Sequence, residues 1–543
     1  MINKVLTNEI IYEAYMHSKR DFFINKQEEE AFFSKLQLIA DPETLPLLLP
    51  LVFSHNKQLV ILIASILHKI LLQMSAKNIS AMDEMLRNGN FFPTVSFNES
   101  IINKVKSLQL KEPIANSIFA LLSFHNSGYI REIAVNQLSF DYPHITVPVL
   151  LIRANDWVTK IKNAAINKLI HFISFDTFFE FLPHIELLKQ LEQKQRYDHS
   201  EFISLIQNEL IQKCYDELLQ MILDADIDKS RIALKIAANN HAKLHQLIKV
   251  SSLSADLIIR LETLNIAKNQ LPTGDLYDLL CFCLKDKSPV IRKKCIYILL
   301  DKFPHQMDSI LRDILFDKSF ALRELAKFYL NKSGIESITI YRNALINQER
   351  PLDLTIIGLA ETGNKNDFKL IETYLNDTDA KIKAACVYAV FKLKPDNKQH
   401  IILSQLPTAE PKMIKTMYAG LVKYFDEYDI DEIAMAFCQN NDPQIEFVCM
   451  KLKLNILQDR WDLIEFILDS LLKDVNNQIK LYLHHKILRW IVNTTPNKIF
   501  TRPKDAIIDS IVHKVEKLLS SNTDENLYMT LKNNLLMFIA ESE

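Results

Sequence analysis

A four-residue pattern recurs about every 31 positions in this chain of 543 residues. Each copy begins at an acidic or polar turn residue. Positions five, six, nine and thirteen further on hold a large apolar, a basic, a small and a large apolar side chain. The clearest copies begin at Asp286, Asp317 and Asp377, with 317 − 286 = 31 and 377 − 317 = 60, or two periods of 30. Because a repeat of this length builds an extended array, it constrains the fold more than any other feature of the sequence.

Further copies of the pattern are present over most of the chain. Their first residues are His55, His125, Asp156, Ser254, Asn347, Thr408, Asn440 and Asp474. Positions five, nine and thirteen are four apart and therefore share one face of an α-helix. The acidic first residue can cap the connection or the helix N-terminus. A second apolar stretch lies between copies, for example at 308–316, and indicates an antiparallel partner helix.

Each repeat is therefore predicted to be a pair of antiparallel helices that buries its apolar face against neighbouring pairs. Dividing 543 by 31 gives about 17 such pairs. The predicted fold class is all-α, an α-α superhelix or α-solenoid. Composition supports this prediction, because 7 Gly and 18 Pro leave few residues for hairpin turns or flexible linkers.

The acidic turn followed by Ile-Arg or Leu-Arg and a small residue resembles the HEAT-like repeats named after phycobilisome lyases. The resemblance covers residues 120–175 and 250–490 and is weaker in 1–120 and 176–250. It implies a HEAT-like, armadillo-like helical array. Repeats of this kind occur in proteins of many functions, so the resemblance implies no particular activity.

Departures from the repeat divide the chain into four predicted parts. Residues 1–100 are expected to form an N-terminal cap with divergent repeats, and 101–250 to form HEAT-like repeats with an irregular polar hairpin near 189–228. Residues 251–500 hold the regular repeats, and 501–543 are expected to form C-terminal capping helices.

Charge and cysteine content restrict the environment of the protein. The 64 Lys and Arg residues against 66 Asp and Glu give a formal charge of −2, so nothing global favours nucleic acid or an anionic membrane. Seven scattered cysteines indicate reduced, buried thiols and a cytoplasmic location. The most apolar stretches, 45–53 and 59–67, are far shorter than the ~20 residues of a membrane span.

The position six after the turn is basic in seven copies of the repeat. These residues are Arg131, Lys162, Arg260, Arg292, Arg323, Lys383 and Lys480. Because equivalent positions stack in an array, they are expected to form a ladder along one side of it. Two interpretations stay open: each side chain pairs with an acidic turn of an adjacent repeat, or the ladder binds an acidic protein or a phosphate backbone.

An acidic segment lies between Lys423 and Lys451, where no Lys or Arg occurs. Its candidate docking residues are Asp426, Glu427, Asp429, Asp431 and Glu432. The segment lacks the Gly and the final Glu of a calcium loop. It is therefore interpreted as a solvated turn or as a docking patch for a basic partner.

Motifs for catalysis or cofactor binding are missing from the sequence. It contains no nucleophile elbow, Walker loop or dinucleotide glycine motif, and its His and Cys pairs lack a nearby third metal ligand. We therefore expect no catalytic residue, cofactor or metal. Trp157 beside Asp156 invites comparison with HEAT-like DNA glycosylases that remove alkylated bases, but Asp156 occupies the ordinary acidic turn position.

The predicted function is a non-enzymatic protein–protein interaction scaffold or adaptor that uses the concave face of the superhelix. One alternative is a nucleic-acid-binding or DNA-repair protein of the glycosylase type. Another is an enzyme similar to the phycobilisome lyases, which would join a tetrapyrrole to a protein cysteine. The expected partner is a protein, while its identity and the oligomeric state are not predicted.

Overall fold

The structure, a computed structural model, describes residues 4–18, 26–88, 100–174, 177–194, 196–429, 432–433, 443–457, 459–473, 475–494, 505–520 and 524–540. Within these ranges the regular structure consists of 31 α-helices and short 3₁₀-helices, with no β-strand. The predicted all-α fold class is confirmed. The 31 described helices correspond to 15 pairs and one further helix, against about 17 predicted pairs.

The chain divides into two compact units, Met1–Asp301 and Lys302–Glu543. The α-helices of the first unit are Lys4–Ser18, Lys26–Leu36, Leu45–Leu48, Lys57–Leu72, Ala76–Asn88, Ser100–Ser107, Glu112–Leu122, Gly128–Gln137, Pro143–Arg153, Thr159–Ser174, Ile185–Glu192, Ser200–Lys213, Tyr215–Ile222, Ile227–Ala237, Leu244–Ser251, Leu257–Gln270, Thr273–Cys283 and Pro289–Lys302, whose last residue belongs to the second unit.

The helices of the second unit follow the same alternation of paired segments. They are Met307–Ile314, Phe320–Lys332, Ser337–Asn347, Leu352–Thr362, Phe368–Ile371, Ala380–Leu393, Lys398–Gln405, Pro411–Lys423, Pro443–Ile456, Arg460–Leu471, Asn477–Asn493, Asp505–Ser520 and Glu525–Ala540. Of the helices described in both units, none is long and apolar enough to cross a membrane.

Helices within each unit stack in two ways. Consecutive helices pack against each other across short turns, as Pro143–Arg153 does with Thr159–Ser174. The second helix of one pair also contacts the second helix of the next pair. Gly128–Gln137 contacts Thr159–Ser174 in the first unit, and Leu352–Thr362 contacts Ala380–Leu393 in the second. Pairs that stack on neighbouring pairs form an α-solenoid, as the repeat predicts.

The helical face marked by the repeat is the buried face. Ile161, Ala165 and Leu169 have no exposed surface, and the equivalent residues after Ser254, Asp286, Asp317 and Thr408 are also buried. In the copy that begins at Asp377, Ile382 is half-buried, while Cys386 and Val390 are buried. In the copies that begin at Asp156, Asp286 and Asp317, the small central residue lies between two large ones on this buried face.

The acidic first residue of a repeat closes the turn before the second helix. The carboxylate of Asp156 accepts a hydrogen bond from the backbone N–H of Val158 at 3.0 Å. Those of Asp286 and Asp317 accept from the residue two positions on, each at 2.7 Å. Asp side chains favour this local turn, which leads the chain directly into a helix.

A repeat that the sequence pattern missed begins at Asp224. Ser230, six residues later, donates its hydroxyl to the backbone oxygen of Asp224 at 3.2 Å and of Asp226 at 2.8 Å. Ala233 and Ala237 occupy the two following core positions without exposed surface. A lysine at position five, a serine in place of the basic residue and an alanine in place of the last large residue conceal this copy in the sequence.

The predicted internal boundaries stay predictions. The segment 189–228, expected to be an irregular polar hairpin, contains the helices Ser200–Lys213 and Tyr215–Ile222. The expected boundary between 500 and 501 lies outside the described residues.

The described cysteines are free thiols, and four of the five are buried. The buried ones are Cys214, Cys283, Cys295 and Cys386. Burial raises the pKa of Cys214 to about 11 and that of Cys386 to about 12, so both thiols stay protonated at neutral pH. Cys438 and the side chain of Cys449 lie outside the described residues.

Candidate partner-binding surface

Arg131 links the turn of its own repeat to the turn of the next one. Its side chain has no exposed surface, and its guanidinium donates to both carboxylate oxygens of Asp156 at 2.9 and 3.0 Å. The Nη1 atom donates to the backbone oxygens of His125 and Asn126 at 3.0 and 2.9 Å. Arg131 thus donates hydrogen bonds to two backbone oxygens that follow a helix C-terminus, and it also binds the acidic turn of the next repeat.

Arg260 repeats this arrangement. It donates to Asp286 at 2.9 and 3.3 Å and to the backbone oxygen of Ser254 at 2.7 Å. Arg323 also donates to the backbone oxygen at the start of its repeat, Asp317, at 2.7 Å. Its acidic partner, however, is Glu361, at 3.0 Å, which lies at the end of a helix and not at a turn start.

The other four ladder positions have different surroundings. Lys383 forms an ion pair with Glu410 at 2.6 Å, and the Lys162 ammonium lies 4.1 Å from the ring centroid of Tyr197. Arg292 donates to the backbone oxygen of Asp286 at 2.6 Å. Lys480 is half-buried and forms no ion pair with a residue in the described ranges.

Burial limits what the three paired arginines can offer a partner. Arg131, Arg260 and Arg323 expose 0%, 5% and 4% of their surface. Their charges are already satisfied by carboxylates and backbone oxygens, and little of each side chain remains for contact. Binding by the ladder as a whole stays a prediction, and the half-buried members are its better candidates.

The carboxylate of Asp156 is shared by two arginines. Besides Arg131, Arg153 donates to it at 2.9 Å and also forms an ion pair with Asp83. Burial raises the pKa of Asp156, but the hydrogen bonds from Arg131 and the Val158 N–H and the charge of Arg153 outweigh it and lower the pKa. A carboxylate with 1% of its surface exposed and these partners is unsuited to activate a water molecule for cleavage of the bond between a base and its sugar.

Part of the acidic segment already has partners within the chain. Glu427 accepts hydrogen bonds from Lys394 and Lys398, which lower its pKa. Glu432 accepts a hydrogen bond from the amide of Gln399 at 2.9 Å, and the backbone N–H of Asp429 donates to the same amide. Asp426 is exposed, and Asp431 lies outside the described residues. Docking of a basic partner here stays a prediction.

One histidine of each sequence pair considered as metal ligands, His241 with His245 and His484 with His485, has a protein partner. His245 contacts Asp275 at 3.0 Å. His484 contacts the Tyr528 hydroxyl at 2.9 Å and Asp524 at 2.8 Å. Across the part of the chain that the structure describes, no three His, Cys, Asp or Glu side chains are grouped to hold a metal ion.

Large apolar side chains are exposed beside the turns within the helix pairs of the first unit. We call this set the turn edge. Its members are Tyr129, Trp157, Leu223, Ile227, Leu253, Ile258, Phe282 and Val290, which expose between 48% and 82% of their surface. Apart from Trp157, none of them is among the binding residues predicted from the sequence.

The turn edge has a signal in the sequence. Tyr129, Ile258 and Val290 each stand four residues after the start of a repeat and directly before a buried core residue. Adjacent residues of a helix point about 100° apart, so one of two neighbouring apolar residues must leave the core face. Leu223 and Leu253 each stand one residue before a repeat start. Because equivalent positions of successive repeats stack, Ile258 is expected to lie beside Val290, and Leu223 beside Leu253, along one edge of the unit.

Comparisons with known proteins name no family for this chain. No family model matches the chain. No curated protein matches it either. Among solved structures, the karyopherin Kap121p bound to the extreme C-terminus of the protein phosphatase Cdc14p is 11% identical with a TM-score of 0.33, and the match covers 100% of this chain and 66% of that chain.

Two further solved structures show likeness of the same order. Kap121p bound to RanGTP is 12% identical, with a TM-score of 0.34 and coverage of 96% of this chain and 64% of that chain. Importin beta is 11% identical, with a TM-score of 0.25 and coverage of 98% and 71%. This chain therefore spans slightly less than two thirds of the length of the Kap121p chains.

Proposed function

We propose that this protein is a non-enzymatic scaffold or adaptor that binds another protein through the turn edge of its first unit. The observation that carries the proposal is the exposure of large aromatic and aliphatic side chains at repeated positions of that edge. Single exposed apolar residues are ordinary, but a recurring row of them is typical of a protein-binding surface. Aromatic residues are also enriched in the buried centres of interfaces.

The buried arginines support this proposal by holding the turns in place. Arg131 and Arg260 each fix two successive turns, and Tyr129, Trp157, Leu253 and Ile258 lie at those turns. A surface that is already ordered loses little conformational freedom when a partner binds. We propose the turn edge as the binding surface in place of the concave face, because exposed apolar side chains can be assigned to the turn edge residue by residue.

Nucleic-acid binding receives less support. Three of the seven ladder cations are buried in ion pairs, and Asp156 is held by two arginines. The residues in the described ranges give no observation that favours the DNA-repair alternative or the lyase alternative. We expect the protein to act in the cytoplasm, in keeping with its free thiols.

Capture of a stoichiometric partner tests the proposal. The full chain is immobilised, exposed to extract of its native host, and the bound protein is identified, purified and titrated by calorimetry. Substituting Tyr129→Ser and Trp157→Ser together is expected to weaken binding at least about 10-fold, because aromatic anchors contribute most of an interface's binding energy.

Leu205→Ser is the matched control, because Leu205 is 41% exposed but does not belong to the turn edge. It is expected to bind as the unsubstituted protein does. Failure of any partner to bind, or equal affinity of the double variant and the control, would contradict the proposal.

A further inference from the structure

A pocket opens on the turn edge between the repeats that begin at Ser254 and Asp286. Its volume is about 310 Å³, within the range typical of ligand pockets. Leu253 and Phe282 line it and expose 65% and 56% of their surface. Cys283, with 7% of its surface exposed, also lines the pocket. The pocket therefore offers apolar walls to an entering side chain.

The floor of the pocket is held by the linked turns. Arg260 and Asp286 both line it, and their ion pair at 2.9 Å leaves each charge satisfied. Arg260 also binds the backbone oxygens of Ser254 and Ala255, at 2.7 and 3.0 Å. These contacts span the two turns that border the pocket, so its shape is fixed before a ligand arrives.

The lining carries an excess of positive charge. Lys285 and Lys287 both line the pocket and are exposed, and neither forms an ion pair with a residue in the described ranges. With the Arg260–Asp286 pair neutral overall, the lining has a net charge of +2 from these two lysines. An occupant must therefore combine an apolar group with negative charge.

We propose that this pocket receives one large apolar side chain from an extended acidic segment of the partner protein, whose carboxylates pair with Lys285 and Lys287. This inference rests on the proposed function and assigns a chemistry to one part of the turn edge. The apolar side chain lies between Leu253 and Phe282, and acidic residues on one or both sides of it reach the lysines. Charge complementarity speeds the encounter, and the apolar contact slows dissociation.

A protein segment fits this surface better than a polyanion does. Nucleic acid binding depends on many phosphate contacts, whereas only two unpaired lysines border this pocket. Exposed leucine and phenylalanine side chains would remain in water beside a duplex backbone, but a leucine or phenylalanine of a peptide would cover them.

Fluorescence anisotropy with the full chain tests the inference. The probe is a labelled peptide of twelve residues in which Leu-Phe is flanked by glutamates. Two reference peptides replace Leu-Phe by Ala-Ala or the glutamates by lysines. The first probe alone is expected to bind saturably. Phe282→Ser and the pair Lys285→Glu and Lys287→Glu should each weaken it about 10-fold or more.

Lys235→Glu is the control variant, since Lys235 is exposed in the same unit but does not line the pocket. It should bind the peptide within about 2-fold of the unsubstituted chain, and all variants should keep the helical circular dichroism spectrum. If Lys235→Glu lowered the peptide affinity as much as the lysine pair does, or if the Ala-Ala peptide bound as tightly as the Leu-Phe peptide, binding would reflect general charge attraction. Either result would overturn the inference. Displacement of the peptide by a DNA duplex or by anionic vesicles at the same charge concentration would also overturn it.

The captured partner separates this inference from the proposed function. If the partner binds Phe282→Ser and the lysine variants as tightly as the unsubstituted chain, while Tyr129→Ser with Trp157→Ser weakens it, the pocket inference is wrong and the proposed function stands. If no partner binds at all, the proposed function fails, and the peptide titration still decides whether the pocket has the assigned specificity.

Discussion

A single guanidinium at the sixth repeat position satisfies several groups at once. Arg131 and Arg260 each bind two backbone oxygens and one carboxylate, in surroundings with almost no exposure to water. The desolvation of such a charge is costly, and it is offset only while every partner is present. Loss of any one partner of Arg131 or Arg260 is therefore expected to lower the free energy of unfolding.

Removing the shared carboxylate is expected to destabilise the first unit strongly. Asp156→Ala leaves Arg131 and Arg153 buried without this partner, and breaking a buried pair typically costs about 3–5 kcal/mol. The midpoint of urea unfolding, followed by circular dichroism, measures the loss. Lys365→Ala removes the exposed pair with Asp396 and should change stability by only ~0–1 kcal/mol. Equal effects of the two substitutions would contradict the structural role assigned to Asp156.

His125 stands at a repeat start where the clearest copies have Asp, and we expect it to make the first unit sensitive to acid. Its Nδ1 accepts a hydrogen bond from the Ser127 N–H at 2.8 Å, and burial together with the charge of Arg131 lowers its pKa from 6.5 to about 4. The unfolded chain thus binds a proton at higher pH than the folded one does. Stability should fall as the pH drops from about 6.5 to about 4, by at most about 3 kcal/mol.

His125→Asn tests this pH dependence, because asparagine can accept the same backbone hydrogen bond without titrating. The stability of the variant relative to the unsubstituted protein should rise as the pH falls through that window. Chemical denaturation at pH 7, 6, 5 and 4.5 measures the difference. A difference that does not change with pH would show that His125 does not titrate as expected.

The repeat places seven cations at one position of the sequence but does not specify all their partners. The repeat predicts the pairing of Arg131 with Asp156, since both occupy regular positions. It does not predict that Arg323 pairs with Glu361, which is 38 residues away and outside the turn. The turn edge was also missed, because exposure depends on how the pairs stack and not on the local pattern alone.

At the scale of elements, glycine inside two helices allows a neighbouring aromatic ring to touch the backbone. A Cβ atom at Gly358 would lie 2.0 Å from the ring of Tyr341, and one at Gly420 would lie 2.3 Å from the ring of Phe391. Tyr341 is buried and donates its hydroxyl to the backbone oxygen of Leu315 at 2.6 Å. The ring therefore has little freedom to move away.

Gly358→Ala is expected to destabilise the second unit despite the higher helix propensity of alanine. Because the overlap with the ring is severe, forcing a methyl group into this contact should cost up to about 3 kcal/mol, against the roughly 1 kcal/mol gained in helix propensity. Thermal unfolding measures the change. Gly274→Ala is the control, because a Cβ there meets no atom within 4 Å, and it should be neutral or stabilising.

The sequence predicts the helices more completely than it predicts the contacts between them. Glycine inside a helix lowers its stability, so in a chain with only 7 Gly such a residue indicates close packing at that position. Gly358 and Gly420 could therefore have been identified as contact points. The ring that each one touches belongs to a different helix, and periodicity does not specify which. The copy at Asp224 was missed because Ser230 replaces a cation.

On the scale of the whole molecule, each helix pair gains its stability from its immediate neighbours. The effect of a core substitution should therefore remain local. Leu483→Ala in the helix Asn477–Asn493 should speed hydrogen exchange in Pro443–Ile456 and Glu525–Ala540, which contact that helix. Exchange in Gly128–Gln137 and Thr159–Ser174 should not change. Faster exchange throughout the chain would indicate a single cooperative core.

The link made by Arg131 also bears on how such a chain can change length during evolution. Arg131 reaches the acidic residue at the start of the following repeat, and Asp156 and Asp286 both occupy that place. A recombination that removed residues 156–285 would present Asp286 to Arg131 in the position that Asp156 now holds. Whole repeats can therefore be lost or duplicated while an ion pair still joins the two turns at the new junction. A deletion that ends within a repeat would instead leave a buried cation without its counterion.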